Sequence, residues 1–163
     1  GPVIPEGTIV LASVEEIKTQ TFKDSSHESL NLKWRIEEPD DYNNKVFNQK
    51  IKNNGEDPLS QYYDAAKQES RIKNAQNMFA AIDANAGGNV KKLMRKPTDA
   101  ELTKYIVAAK MWVHMGVVGT TQIVRGVKAY KPIDEPSKQA TNATSPKTPA
   151  NQVGADMEDD IPF

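Results

Sequence analysis

The chain has 163 residues, of which 37% are hydrophobic and 26% are charged, and its net charge is −1. That length suits one domain with a core of its own, and the absence of cysteine excludes disulfides and thiolate metal sites. No apolar run approaches the roughly 18 residues of a membrane-spanning helix, and no signal peptide is visible, so we expect a cytoplasmic protein. Gly1-Pro2 resembles the remnant of a cleaved tag and is left out of the functional interpretation.

Alternation of apolar and polar residues predicts three strands in the first third of the chain. The first strand covers residues 8–22, and a polar turn at 24–29 leads into the second, residues 30–36. The third strand covers residues 45–51.

An amphipathic helix is predicted from Ser70 to Asn85. Its apolar residues recur at three- and four-residue spacing, which is the stripe of a helix packed on a core: Ile72, Ala75, Phe79 and Ile82. Ser70 is the expected N-cap, and Gly87-Gly88 is expected to end the helix.

Two shorter helical segments are expected around this helix. One covers residues 59–67, and another begins at the sequence TDAE, where Thr98 and Glu101 have the spacing of a capping box. Two further strands are predicted at 105–117 and 121–130.

The last two strands are joined by a tight turn at Gly119-Thr120. Three strands, a helical insertion and two more strands are the element order of the five-stranded oligonucleotide-binding (OB) barrel. We therefore predict a mainly β fold, an OB-fold barrel with helices between strands 3 and 4. Other five-stranded barrels and open α+β sheets have the same order.

The fourth predicted strand carries the most informative side chains. Its odd positions form an apolar face: Tyr105, Val107, Ala109, Met111, Val113 and Met115. Its even positions include Lys110, Trp112 and His114, which point to the opposite face. A tryptophan flanked by basic side chains could stack on a base while the cations neutralise phosphates. The alternative is a second core, with Trp112 buried under the helical insertion.

The other tryptophan has the opposite pattern, because Trp34 is in register with Leu30, Leu32 and Ile36 and is therefore predicted in the core. The neighbouring residues Lys33 and Arg35 lie on the outer face, so they are candidate nucleic-acid contacts. The full set of candidates is Lys33, Arg35, Lys45, Phe47, Lys50, Lys110, Trp112, His114, Arg125, Lys128 and Tyr130. Phe47 could stack or pack, with packing favoured, and Gly126 marks a potential bulge.

The basic run at 91–96 is either a solvated loop or a clamp over a phosphate backbone. Catalytic motifs are missing: the sequence has no Gly-rich phosphate loop, no HExxH and no GxSxG. Residues 83–89 partly resemble an EF-hand calcium-binding loop but lack its terminal glutamate. We therefore predict no enzyme activity, no cofactor and no metal.

The C-terminal part differs in composition and charge. Residues 133–163 hold six acids and two lysines, so residues 1–132 hold 16 acids and 19 bases, a charge of +3. Proline, small and polar residues dominate 133–155, which predicts a disordered linker. The predicted organisation is a folded domain at 3–132 and a linker with an acidic tail at 133–163.

The tail ends in the sequence MEDDIPF. This resembles the C-terminal tip of bacterial single-stranded DNA-binding proteins, with five residues that match the tip one by one: Asp159, Asp160, Ile161, Pro162 and Phe163. The body, residues 3–132, differs from the bacterial family, which lacks the long insertion at about 53–104. Its sequence IPEGTIVLASVEE…LNLKWRIEEPDDYNNKVFNQKI is more similar to phage-encoded single-strand-binding proteins. The resemblance implies that the tip recruits replication, recombination and repair proteins of a bacterial host.

These observations together predict sequence-tolerant binding and protection of single-stranded DNA. Two other functions fit the same sequence: a recombination mediator that anneals strands, and an adaptor whose barrel binds no nucleic acid. A homo-oligomer is compatible with all three.

Overall fold

In the computed structural model, residues 2–21 and 27–131 are described. Five antiparallel strands form one sheet: β1 (Ile9–Thr21), β2 (Glu28–Glu38), β3 (Val46–Ile51), β4 (Lys110–Val118) and β5 (Thr121–Ala129). Their order in the sheet is β3-β2-β1-β4-β5. The mainly β class with helices after the third strand is confirmed.

The sheet does not close into a barrel. The edge strands β3 and β5 approach within 8 Å between Cα atoms, but they are not neighbours in the hydrogen-bonded order. The N-terminal segment contacts the start of β5: Ile4 N–H donates to Gln122 Oε1 at 2.6 Å, and Gln122 Nε2 donates to Ile4 O at 3.0 Å. At this end of β5 the Gln122 side chain therefore holds the segment before β1, and β5 has no hydrogen-bonded pairing with β3.

Three helices lie between β3 and β4: α1 (Gln68–Asn85), α2 (Asn89–Leu93) and α3 (Asp99–Ile106). The predicted stripe of α1 packs as expected, with Ile82 fully buried and Phe79 half-buried against the core. Gly88 adopts a left-handed conformation at φ 73° between α1 and α2, as predicted for the helix end.

Four details of the predicted helices and strands are corrected. Helix α1 begins at Gln68, and the Ser70 hydroxyl donates back to Lys67 O at 3.2 Å, so Ser70 is not the N-cap. The helix expected at 59–67 is reduced to a short 3-10 turn at Ala65–Lys67, and α2 was not predicted.

The fourth correction concerns residues 105–109, which are not part of β4. Thr98 and Glu101 form the predicted capping box, and α3 then continues to Ile106 because Leu102 and Ile106, four residues apart, are both fully buried. The apolar residues at 105, 107 and 109 therefore have the spacing of a strand but lie before β4, which begins at Lys110.

The core fills one face of the sheet and is covered by the helices. Five of its large strand residues are at most 1% exposed: Trp34, Leu32, Ile36, Met111 and Met115. Trp34 donates from its indole nitrogen to Gln49 Oε1 at 2.8 Å and lies parallel to the Phe47 ring at a centroid distance of 6.2 Å. The prediction that Trp34 belongs to the core is confirmed.

Candidate nucleic-acid interface

The face of β4 opposite the core presents Trp112 to the outside. Met111 and Val113 on either side are buried, whereas Trp112 is half-buried. Leu11 of β1 lies directly opposite Trp112 and is buried without belonging to the core cluster. Leu11 is therefore buried by side chains of the outward face. It provides an apolar contact beside Trp112 on that face.

A ring of aromatic and basic residues surrounds Trp112. Tyr130 meets it edge to face at a centroid distance of 6.0 Å, and Lys110 Nζ lies 5.4 Å from the Tyr130 ring centroid. Lys128 of β5 is directly opposite Trp112, and His114 is two residues further along β4. We call these five residues the Trp112 platform: Lys110, Trp112, His114, Lys128 and Tyr130.

The platform has the chemistry for stacking on a planar ring. Trp112 retains an exposed part, and the edge-on Tyr130 limits its rotation. Aromatic–base stacking contributes about 1–3 kcal/mol per base irrespective of sequence.

Acidic residues neutralise several of the outward cations. Glu37 of β2 accepts from Ser13 Oγ at 3.2 Å and forms an ion pair with Lys110 at 2.9 Å. The hydrogen bond to Glu37 raises the pKa of Lys110. A phosphate that approaches Lys110 therefore has to share it with a carboxylate, although an exposed ion pair contributes only about 0–1 kcal/mol.

Lys33 and Arg35 share the acid Glu15 on β1, and Lys33 also lies 3.9 Å from the Glu16 carboxylate on the same strand. Glu15 pairs with Arg35 at 2.5 Å and with Lys33 at 3.3 Å. The hydrogen bond from Arg35 is the main cause that lowers the pKa of Glu15. The register between β1 and β2 shifts between Val14 and Glu16, and this irregularity places the Glu15 carboxylate between the two cations.

Arg125 has a structural partner. The register of β4 and β5 shifts beside Gly126, so the predicted bulge is present. Arg125 donates to both Glu6 oxygens at 3.1 and 3.0 Å, and Glu6 also accepts from Val117 N–H at 3.0 Å. Arg125 chiefly lowers the pKa of Glu6 to about 2. This candidate contact residue therefore ties the N-terminal segment to the last hairpin.

Phe47 also has to be corrected as a base-stacking candidate. Its ring is 6% exposed and stacks on Trp34, because alternation on β3 turns Phe47 to the core face. Packing, the favoured interpretation, is confirmed, and Phe47 presents no surface for a base.

The two other candidates on β3 lie beside a second surface. Lys45 and Lys50 are exposed and line a groove of about 970 Å³ along the gap between β3 and β5, which we call the seam groove. Lys52 and the amide side chains of Asn48 and Gln122 also line it, and no acid does within the described part of the chain. Sequence reasoning missed Lys52, Asn48 and Gln122 because a closed barrel has no such gap.

The predicted residues thus divide into groups. The outward face of the sheet brings together Lys33 and Arg35 with the Trp112 platform, the seam groove holds Lys45 and Lys50, and Phe47 and Arg125 are used structurally. The tail residues at 159–163 lie outside the described residues.

The basic run at 91–96 forms the end of α2 and the following loop. Arg95 makes a bidentate ion pair with Glu101 at 2.7 and 2.8 Å, and Lys96 pairs with Glu28. Met94 at its tip has φ 59° and is 88% exposed. This loop belongs to the helical insertion and is not part of the Trp112 platform or the seam groove.

The described residues contain no group of three or more side chains suited to a metal ion. The segment that resembled a calcium loop is the junction between α1 and α2, where Asp83 accepts from Val90 N–H at 3.0 Å and from Lys91 N–H at 2.9 Å. No helix within residues 2–21 and 27–131 has the length and hydropathy to cross a membrane.

Comparison with known proteins adds no assignment, since no protein-family model and no curated protein matches this chain.

Proposed function

We propose that this protein binds single-stranded DNA without strong sequence preference and protects it during replication and recombination. The observation that carries the proposal is the partly exposed Trp112, held on the outward face of a strand whose other face is core, with Lys110 and Lys128 beside it. That arrangement supplies a stacking surface and phosphate neutralisation together.

The architecture supports the same proposal. OB folds are five-stranded, partly open Greek-key barrels that bind oligonucleotides. The unclosed five-stranded sheet, with helices between β3 and β4, is compatible with an open member of this class. The resemblance of MEDDIPF to the bacterial tip adds recruitment of partner proteins in the cytoplasm of a bacterial host. The resemblance of the body to phage-encoded single-strand-binding proteins adds that the DNA is replicated or recombined during phage infection.

A titration with oligo(dT) followed by tryptophan fluorescence tests DNA binding. The chain has two tryptophans, and Trp34 is 0% exposed, so quenching should come from Trp112. The logarithm of affinity should fall with the logarithm of salt by about 0.7 per phosphate neutralised. An affinity that does not change with salt would overturn the proposal.

The conservative variant Trp112→Phe identifies the source of the signal. It keeps an aromatic ring for stacking but removes the outward indole, so binding should persist in a separation assay while the quenching disappears. Quenching of equal size in Trp112→Phe would assign the signal to Trp34 and contradict the platform.

The tail is tested separately from DNA binding. Deleting Phe163 removes the apolar anchor but no acidic side chain, and aromatic anchors dominate small interfaces. Capture of replication and recombination proteins should be lost, whereas oligo(dT) affinity should stay unchanged. Equal capture with and without Phe163 would contradict a role for the tip.

A further inference from the structure

The helical insertion encloses a pocket of about 570 Å³ against the end of the sheet, which we call the insertion pocket. Ligand sites in proteins typically measure about 300–1,000 Å³. The walls come from α1, α2, α3 and from the facing ends of β1 and β2. The insertion pocket is separate from the Trp112 platform, because the two share no residue.

The interior and the mouth of this pocket differ in chemistry. Leu30, Val90 and Leu102 are buried lining residues, and Phe79 is half-buried among them. Exposed cations, Lys91 and Lys96, stand at the opening. An apolar interior below a cationic rim suits an apolar group that carries a carboxylate.

The two acids that line the pocket already have partners. The Asp83 carboxylate accepts the Val90 and Lys91 backbone N–H groups, and Glu28 pairs with Lys96. Lys91 and the adjacent Lys92 form no ion pair with an acid of the described residues. At the rim, Lys91 therefore retains its positive charge for an incoming anion, and Lys92, its neighbour in the sequence, does not line the pocket.

We infer that the occupant of the insertion pocket is the C-terminal tip of the same chain, with Phe163 in the apolar interior and the acids of the tip at the lysine rim. The tip has the required chemistry, since Ile161, Pro162 and Phe163 follow directly on Asp159 and Asp160 and end in a carboxylate. Each part of the pocket has a counterpart in this segment.

The place where the chain leaves the sheet supports this occupant. Tyr130 N–H donates to Asn85 Oδ1 at 3.3 Å, and Asn85 follows Ala84 and precedes Gly88, both of which line the pocket. Residues 132–163 number 32, and a flexible chain of that length has a root-mean-square span of about 30 Å. The tail thus leaves the sheet next to α1, one wall of the pocket, and has the length for its tip to reach the pocket.

Docking in this pocket holds the tip away from the outward face of the sheet. Tethering through a linker corresponds to an effective concentration of about 1 mM, so even a weak site is substantially occupied. A partner protein then has to compete with the insertion pocket for Phe163. The inference concerns the tail alone and does not rest on DNA binding.

A spin-label experiment on the full chain tests the inference. Because the chain has no cysteine, the substitution Ala155→Cys provides one attachment site for a nitroxide. Amide signals of Phe79 and Val90 should lose about half their intensity or more relative to the reduced label. Tenfold dilution should not change the loss, because docking is intramolecular.

Two further variants of the labelled chain separate the anchor from the charge. Phe163→Ala should lower the equilibrium constant for docking by about 30-fold, the effect of losing an aromatic anchor. Lys91→Glu combined with Lys92→Glu should also restore the signals, whereas Lys73→Glu on the exposed surface of α1 should not.

Three outcomes would overturn the inference. Signal loss centred on β4 and β5 would place the tip on the outward face, and uniform weak loss would indicate no docking. Loss that disappears on dilution would assign the contact to a second copy. Oligo(dT) binding can persist in all three, so failure here is distinguishable from failure of the proposed function.

Discussion

The two faces of the sheet use the same residue type for different purposes. Trp34 and Trp112 both lie on strands with strict alternation, yet one is fully buried and hydrogen-bonded to Gln49 and the other is half-exposed against Tyr130. The core face surrounds its indole with apolar side chains and satisfies its N–H group, whereas the outward face surrounds its indole with cations. The neighbours on each face, and not the indole itself, decide between stability and recognition.

The largest expected effect is on the core face. Trp34→Ala should lower the free energy of unfolding by about 3–5 kcal/mol, because it leaves a large cavity and removes the donor that satisfies Gln49. Urea denaturation followed by circular dichroism measures the change. Trp34→Phe is the matched control and should cost less, since most of the ring volume remains. A Trp34→Ala variant as stable as wild type would break the assignment of the two faces.

The next effect is on the outward face. Trp112→Ala should weaken oligo(dT) binding by about 1–3 kcal/mol, the contribution of one stacked base, with a stability loss well below that of Trp34→Ala. Filter binding at fixed salt measures the affinity, and urea denaturation measures the stability. If Trp112→Ala unfolded the domain and left the affinity of the folded fraction unchanged, the two tryptophans would have exchanged roles.

The acids of the outward face provide a third test. Glu37→Gln should free Lys110, and Glu15→Gln should free Arg35 while Lys33 keeps its longer ion pair with Glu16. Each change should raise DNA affinity about two- to fivefold, the scale of an exposed ion pair. Salt titrations of binding measure the gain, which should be largest at low salt. Glu69→Gln, on the first turn of α1, is the control with the same charge change. A gain of equal size in Glu69→Gln would mean that only net charge matters.

The smallest effect concerns the ion pair of Glu6 and Arg125. It tests whether Arg125 stabilises the fold, unlike the cations of the outward face. The pKa of Glu6 is lowered to about 2 from 4.5, so its ion pair stabilises the fold above pH 4.5 and this contribution is lost as the pH falls toward 2. Glu6→Gln should therefore lower the melting temperature at pH 7, and the difference from wild type should vanish near pH 2. A difference that is the same at both pH values would show that the Glu6 charge is not responsible.

The strands and the faces of both tryptophans could be predicted because alternation is a local property. Leu30, Leu32 and Ile36 share a face with Trp34, and their apolar side chains identify it as the core face. Met111 and Val113 alternate with Trp112, so Trp112 lies on the opposite, outward face. Local patterns fail where two periods overlap. At the junction of α3 and β4, residues 105, 107 and 109 continue the apolar alternation of β4 toward the N-terminus. The helical spacing of Leu102 and Ile106, which are both buried, decides the structure there instead.

The electrostatics of the candidate site could not be predicted in the same way. Glu15 reaches Lys33 and Arg35 only because the register of β1 shifts beside it. Glu37 reaches Lys110 across β1. Both contacts depend on how separate strands are aligned, and a single sequence does not encode that alignment in any short pattern.

The gap between β3 and β5 has a consequence for the behaviour of separate copies in solution. A sheet edge exposes unpaired backbone groups that can template pairing with another chain, and lysines on an edge strand discourage this. Lys45, Lys50 and Lys52 flank or occupy β3, and Ile4 and Gln122 cover the start of β5. The lysines that line the seam groove are therefore also a defence against edge-to-edge aggregation, and replacing them with neutral residues would remove that protection.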